Sequence, residues 1–197
     1  MRLAAAALAF AAGLAQAAPV AFVADIRGNA TVEGDGKLNF LAEIEPGTRL
    51  LLGTGATASI TYAATGAEFS LAGPGEFLVA PKEVKAEKGA APKRRNVGAL
   101  ADPTIVSKVS RNATASLRMR SLAPAAAPTG PEGRLESLSP EARARAEKSR
   151  AAARTFPERV LHAMLLEQLG ATHDARQAWA ELARERPDLP ELAALAR

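Results

Sequence analysis

The side chains that most often carry enzyme chemistry are scarce in this sequence. The chain has 197 residues, no cysteine and two histidines, His162 and His173. The lack of thiols excludes disulfides, thiolate metal sites and cysteine nucleophiles. Two histidines on separate predicted helices are too few for a metal site without help from carboxylates. Since no nucleophile elbow or catalytic carboxylate pair stands out either, we predict no catalytic residue, no metal site and no enzyme activity.

One glycine-rich stretch matches a cofactor motif. Residues 53–58 read Gly-Thr-Gly-Ala-Thr-Ala, the G-x-G-x-x-A pattern of dinucleotide sites. In such a site a helix must follow at once, because its N-terminus faces the pyrophosphate. Residues 59–62 instead alternate and include β-branched side chains, which favour a strand. We therefore predict a turn between two strands here, and no cofactor.

Positive charge is concentrated in one segment. The formal net charge is +4, but residues 18–81 carry −4, residues 82–122 carry +7 and residues 123–197 are neutral overall. No aromatic side chain lies within the densest part, residues 82–95, so base stacking and a nucleic-acid partner are not expected. The segment is either a solvated, mobile loop or a contact for a polyanion, a glycan or an anionic membrane surface. The candidate contact residues are Lys82, Lys85, Lys88, Lys93, Arg94 and Arg95.

The N-terminal residues, which precede the predicted strands and helices, have the pattern of a targeting segment. Arg2, an apolar run over residues 3–14 and the sequence Ala15-Gln16-Ala17 are typical of a secretory signal peptide. The apolar run is shorter than the ~20 residues that a membrane-spanning helix needs. We expect cleavage of residues 1–17 after about Ala17, a periplasmic mature protein and no transmembrane span within it.

Short strands are predicted over residues 20–79. Residues 57–62 and 67–71 alternate apolar and polar side chains, and on a strand such alternation buries one face and wets the other. We therefore expect the side chains of Thr61 and Glu68 to be exposed to water. Glycine turns about ten residues apart favour an all-β roll, sandwich or barrel. Two further strands are predicted near residues 104–109 and 113–119, which would extend this domain over residues 18–120.

The order of glycines and aliphatic strands resembles a known domain. Residues 47–62 read Gly-Thr-Arg-Leu-Leu-Leu-Gly-Thr-Gly-Ala-Thr-Ala-Ser-Ile-Thr-Tyr, and residues 66–71 and 73–79 continue with a strand and a closing apolar strand. Together with residues 23–32, this pattern resembles the FecR-type periplasmic β domain, except that Thr65-Gly66 replaces the usual Asp-Gly. The resemblance implies an exported β module that contacts other envelope proteins. It does not extend to that family's membrane-spanning helix and cytoplasmic part, so transmembrane signalling is not implied.

A linker and helices are predicted for the remainder. Proline, alanine and glycine dominate residues 121–138, which favours an extended, flexible linker without packed structure. Ser139 and Pro140 then form a helix start. The helix to Arg154 offers mainly alanine for burial, so we expect a spacer or a lightly packed helix.

A helical hairpin is the strongest pattern in the chain. Within residues 157–190, Gly170, Ala175, Trp179 and Pro187 resemble the turn glycine, crossing alanine, large aromatic and terminal proline of a tetratricopeptide repeat. No preceding repeat is visible, and one repeat alone cannot form a solenoid groove. The hairpin could dock on the β domain, pair with another chain or receive a partner helix. If a partner binds there, the candidate contacts are Trp179, Met164 and Leu166.

Taken together, the predicted fold class is α+β: an N-terminal FecR-like β domain, a linker and a C-terminal helical region over residues 139–197. The predicted function is that of an exported, non-catalytic envelope protein acting as an interaction or sensory scaffold, with another envelope protein as its partner. The alternative is a cell-wall or polyanion-binding module that acts through residues 82–95.

Overall fold

The computed structural model describes residues 18–34, 36–97 and 133–197. This part of the chain is α+β, with two antiparallel five-stranded sheets followed by four α-helices. The predicted signal peptide, the strands predicted near residues 104–109 and 113–119, and residues 121–132 of the predicted linker lie outside the described residues.

Ten short strands form the two sheets. The strand order is β10-β7-β6-β1-β4 in the first sheet and β3-β2-β5-β8-β9 in the second. The strands are β1 (Ala21–Arg27), β2 (Ala30–Val32), β3 (Gly36–Lys37), β4 (Glu43–Ile44), β5 (Arg49–Leu52), β6 (Thr57–Tyr62), β7 (Ala67–Ala72), β8 (Gly75–Val79), β9 (Val84–Lys88) and β10 (Lys93–Asn96).

The alternating apolar side chains fill a core shared by the two sheets, as predicted. Ile60 and Leu71 of the first sheet and Phe77 of the second are buried in one cluster. Tyr62 ties the sheets together, because its hydroxyl donates hydrogen bonds to the carbonyl oxygens of Ala80 and Glu83 at 2.7 and 2.5 Å. Burial of the phenol, and then the charge of Glu83, raise the pKa of Tyr62. The inward-facing residues are thus held by packing and by a buried polar link.

The other face of the first sheet is covered as well, so the expectation that Thr61 and Glu68 face water is wrong. Their exposed fractions are 0% and 1%. The register places Phe22, Thr61 and Glu68 side by side on β1, β6 and β7, and adjacent cross-strand partners share one face. Helical residues pack on this face and join the same core cluster. The first sheet is therefore a middle layer between the second sheet and the helices.

A β-bulge in β1 turns one carboxylate toward the helices. The pairing with β6 shifts register between Val23 and Asp25, so that Val23 lies opposite Ile60 and Asp25 opposite Ser59. Ala24 is the extra residue, and an extra residue reverses the alternation beyond it. Asp25 consequently lies on the same face as Phe22, the face that the helices cover.

Four helices follow, and their limits agree with the sequence signals. They are α1 (Pro140–Ala152), α2 (Phe156–Gln168), α3 (Thr172–Glu185) and α4 (Pro190–Leu195). The Ser139 side chain accepts a hydrogen bond from the Ala142 backbone N–H at 3.3 Å and caps α1. Gly170 lies in the turn between α2 and α3 with a φ of 82°, a left-handed conformation that glycine adopts readily.

Helix α1 packs lightly, whereas the segment before it is more ordered than predicted. Ala146 is the buried residue of α1. Residues 133–138 were expected to belong to the unpacked linker, but they include a 3-10 helix, Leu135–Ser137, that is held at the start of α3. The Leu135 backbone N–H donates to Asp174 at 2.7 Å, and Gly133 accepts a bond from the His173 backbone at 2.8 Å. These hydrogen bonds fix the path of the chain into α1.

A search of the described residues for a membrane-spanning helix found none with sufficient length and hydropathy.

Candidate functional site

The basic segment at residues 82–95 forms strands, so the expectation of a loop is wrong. β9 pairs with β8 at the edge of the second sheet, and β10 pairs with β7 at the edge of the first. Val84 of β9 is buried beneath its charged neighbours, which gives the strand an apolar anchor. Charged side chains are common on edge strands, where one side of the backbone is not paired within the sheet. The basic run therefore spans the edges of two different sheets.

The six candidate cations differ in their surroundings. Lys85 pairs with Glu83 at 3.2 Å, and Lys88 pairs with Glu76 at 2.8 Å. The hydrogen bond to Glu76 is the main cause that raises the pKa of Lys88. Arg95 binds the buried Glu68 and is only half exposed. Lys82, Lys93 and Arg94 are exposed.

Glu68, Arg95, Thr155 and Glu158 form the first of two charged clusters that join the first sheet to the helices. Arg95 Nη2 donates to Glu68 Oε2 at 2.9 Å and to Thr155 Oγ1 at 2.8 Å. Arg95 Nη1 lies 3.6 Å from Glu158 Oε1. The other Glu158 oxygen accepts the backbone N–H groups of Arg154 and Thr155 at 2.9 and 2.7 Å. Strand β10 is thereby connected to the N-terminus of α2.

Asp25, Arg186 and Asp188 form the second cluster. Arg186 bonds to the Asp25 carboxylate, to the Ile26 carbonyl oxygen at 2.5 Å and to Asp188 at 2.8 Å. Hydrogen bonding to Asp188, and then to Asp25, raises the pKa of Arg186 although burial opposes it. The same bond lowers the pKa of Asp188. The Arg186 side chain is only 5% exposed, and these partners offset the cost of burying its charge.

Phe156 belongs to the contact surface between the two layers. Its ring lies 6.3 Å from the ring of Phe40 in the β3–β4 connection, and the Arg186 guanidinium lies over it at 5.1 Å from the centroid. A cation over an aromatic face is favoured by the ring quadrupole. We call the two charged clusters and Phe156 the sheet–helix joint. Its geometry is suited to holding two layers in a fixed orientation.

The predicted partner-contact residues of the hairpin lie inside the molecule. Trp179 is 0% exposed, and Met164 and Leu166 are also buried. The Trp179 indole N–H donates to Glu167 Oε1 at 2.9 Å. Trp179 and Met164 belong to the core shared with the sheets, whereas Leu166 packs in a smaller cluster with Ala146 of α1. In this conformation, the chain itself covers all three side chains.

The histidines lie at different places on the helices. His162 is half-buried on α2, with Nδ1 3.3 Å from Ser149 Oγ of α1. Burial, and then the charge of Arg150, lower its pKa. His173 is exposed in the first turn of α3. Among the residues that the structure describes, no group of three or more His, Cys, Asp or Glu side chains is placed to hold a metal ion.

The cofactor-like glycine motif is a turn between strands, as predicted. Gly53 and Gly55 connect β5 to β6, and residues 57–62 are a strand rather than a helix. A shallow depression of about 340 Å³ lies nearby. The charged side chains that line it, Glu76 and Lys88, bind each other at 2.8 Å. The depression therefore offers a ligand few free polar groups.

Sequence reasoning missed the residues of the sheet–helix joint. Arg95 was identified only as a surface cation, and Asp25, Thr155 and Arg186 were not singled out. One local signal was available, because Thr155 and Glu158 have the spacing of a capping box at a helix start. Comparisons of the chain with protein-family models, with curated proteins and with solved structures found no match. A functional assignment therefore depends on the chain's own residues.

Glu158 should make the stability of the joint sensitive to acid. Partial burial opposes its ionisation, but hydrogen bonds from Thr155 and Arg154 and the charge of Arg95 outweigh this effect and lower its pKa. A carboxylate with a lowered folded-state pKa contributes stability that is present above its unfolded pKa and is lost as the pH falls through the folded value. Glu158→Gln should therefore flatten the fall in unfolding free energy below about pH 5.

Urea unfolding over a series of acidic pH values measures this effect. Gln can still accept the backbone hydrogen bonds, so the substitution tests the charge. Glu181→Gln, at an exposed position of α3, is the matched control and should retain the wild-type pH dependence. An unchanged profile for Glu158→Gln would exclude the proposed role of the Glu158 charge.

Proposed function

We propose that the protein is an exported, non-catalytic envelope protein that acts as an interaction scaffold, in which a FecR-like β module and a tetratricopeptide-like hairpin form one rigid body. The observation that carries this proposal is the sheet–helix joint. Glu68 and Arg186, two charged residues buried to at least 95%, both serve to hold the layers together. Such burial is costly unless each charge is paired. Arg186 pairs with Asp25 across the joint. Glu68 pairs with Arg95 of the same sheet, and Arg95 in turn bonds to Thr155 at the start of α2.

The joint also supplies what a single helical repeat lacks. A repeat needs a neighbour on which to bury its inner face. The first sheet occupies that position for α2, and the buried side chains of α3 join the same core. The outer, polar face of α3 and the edges of the sheets remain at the surface of the described structure. A partner of the scaffold would therefore bind an outer surface rather than the buried hairpin residues.

Site-specific photocrosslinking in living cells tests this proposal. The crosslinker is placed in turn at two exposed positions, Gln177 on α3 and Asn39 in the β3–β4 connection. We expect a discrete adduct from one surface and none from the other, together with a mature N-terminus near Ala18. An intact Met1 would contradict export, and the absence of any discrete adduct from either surface would contradict the scaffold role.

A second candidate function, binding of an anionic polymer, is favoured by a specific observation. Lys93 and Arg94 are exposed on an edge strand, and the Arg95–Thr155 hydrogen bond brings this strand next to the basic end of α1. The structure thus adds cations from a distant part of the sequence to one half of the basic segment.

A further inference from the structure

The structure divides the basic segment into two surfaces of different character. The cations of β9 and of the turn before it, Lys82, Lys85 and Lys88, lie among carboxylates. Glu83 and Glu76 pair with two of them, and Glu87 pairs with Arg49 at 3.2 Å. A polyanion approaching β9 would meet these acidic groups as well. The positive charge of the three lysines is therefore largely offset by the neighbouring carboxylates.

The β10 half of the segment lies beside the C-terminal end of α1. The Glu158 carboxylate contacts both sides, since one oxygen is 3.6 Å from Arg95 and the other accepts the Arg154 backbone N–H at 2.9 Å. Arg150 lies in the last turn of α1, four residues before Arg154, and is close enough to His162 to lower its pKa. Arg150 and Arg154 are both exposed. Arg95 and Arg150, which are more than 50 residues apart in sequence, thus both lie near the first half of α2.

We propose that Lys93, Arg150 and Arg154 form one binding surface, the β10–α1 surface, for a linear phosphate-bearing polymer. This inference rests on the second candidate function above and assigns its site. Two of the three residues are arginines, whose planar guanidinium groups can bind phosphate oxygens in a bidentate manner. The Arg95 side chain lies beneath this surface, and Glu68 and Glu158 hold its guanidinium in place.

A membrane surface fits this site less well than a soluble polymer. Proteins that bind at a lipid interface usually insert apolar or aromatic side chains between the headgroups. All seven aromatic residues of the described part of the chain are buried, and α1 contains no large apolar side chain. The surface therefore offers charge without a hydrophobic anchor.

Binding of inorganic polyphosphate to the mature protein tests the assignment. Arg150→Gln/Arg154→Gln should weaken binding about tenfold and lower the slope of log affinity against log salt by about two. The matched control is Arg145→Gln/Lys148→Gln, which removes two exposed cations from another side of the same helix and should leave affinity within about twofold. Unchanged melting curves would show that both variants are folded.

A second pair of variants compares the two halves of the basic segment. Lys93→Gln/Arg95→Lys removes one charge and the planar guanidinium of Arg95, whereas Lys82→Gln/Lys85→Gln/Lys88→Gln removes three charges from β9 and the turn before it. We expect the β10 set to weaken binding more than the β9 set, although it removes fewer charges. A greater loss from the β9 set would overturn the proposed surface while leaving polyanion binding intact.

The choice of polymer has its own test. Equal or tighter binding to polygalacturonate, a carboxylate polymer, would overturn the phosphate assignment, as would stronger binding to phosphatidylglycerol vesicles. If the wild-type protein binds no polyanion at all, the second candidate function itself fails. These outcomes separate an error in the site from an error in the function.

Discussion

Replacing Arg186 by alanine should lower the free energy of unfolding by about 3–5 kcal/mol, the usual cost of removing one partner of a buried ion pair. The substitution leaves the Asp25 carboxylate, which is 17% exposed, without its main cationic partner. It also leaves the Ile26 carbonyl oxygen without the donor from Arg186 and uncovers the Phe156 ring. Urea unfolding, followed by the fluorescence of Trp179 and by circular dichroism, measures the loss.

Arg159→Ala provides the matched control for this prediction. Arg159 also pairs with a carboxylate, Glu185 at 2.7 Å, but both side chains are about 40% exposed. Its removal should cost about 1 kcal/mol or less, as is usual for surface pairs. A double-mutant cycle with Asp25→Asn then isolates the coupling between Asp25 and Arg186. Equal, small losses for Arg186→Ala and Arg159→Ala would show that the joint does not hold the layers together.

Replacing Trp179 by alanine should be equally damaging, at about 3–5 kcal/mol, because the side chain is fully buried. The substitution leaves a cavity in the core that the helices share with the sheets and removes the hydrogen bond to Glu167. A partner that fails to bind this variant has therefore not been shown to contact Trp179. The unfolding free energy of the variant must be measured beside any binding assay.

Trp179→Phe separates packing from hydrogen bonding at this position. It keeps most of the ring volume and loses the indole N–H, so we expect a cost of about 1 kcal/mol from the missing bond. It also leaves Tyr62 as a fluorescent reporter in the sheets. A Trp179→Ala protein as stable as the Phe variant would contradict the buried position of this residue.

Elements whose pattern is local could be predicted from the sequence. Ile60 and Leu71 face the core because apolar residues recur there with a period of two. The limits of the helices follow from Ser139 as a cap and from Gly170 in a left-handed turn. In each case the residues that determine the structure lie within one strand or one helical turn of each other.

The second covered face of the first sheet could not be predicted in this way. Alternation marks Glu68 as a wet residue, and its burial depends on Arg95 and on Thr155, which lies 60 residues beyond Arg95. The side of the sheet on which Asp25 lies could not be predicted either, since the bulge at Ala24 reverses the alternation and no glycine or proline marks that bulge. The basic strands β9 and β10 were missed because they pair with β8 and β7 through their backbones, and the charge of their side chains does not mark that pairing.

The contact between Asp25 and Arg186 joins positions 161 residues apart, and this separation determines the order in which the fold can be completed. Contacts between distant positions close long loops and tend to form slowly. The strands can pair as soon as residues up to 96 are available, but one face of the first sheet stays uncovered until α2 and α3 have been synthesised. During that interval Phe22, Thr61 and Glu68, which lie side by side on this face, are not yet covered by the helices. The joint is therefore a late step in the maturation of the chain as well as a structural contact.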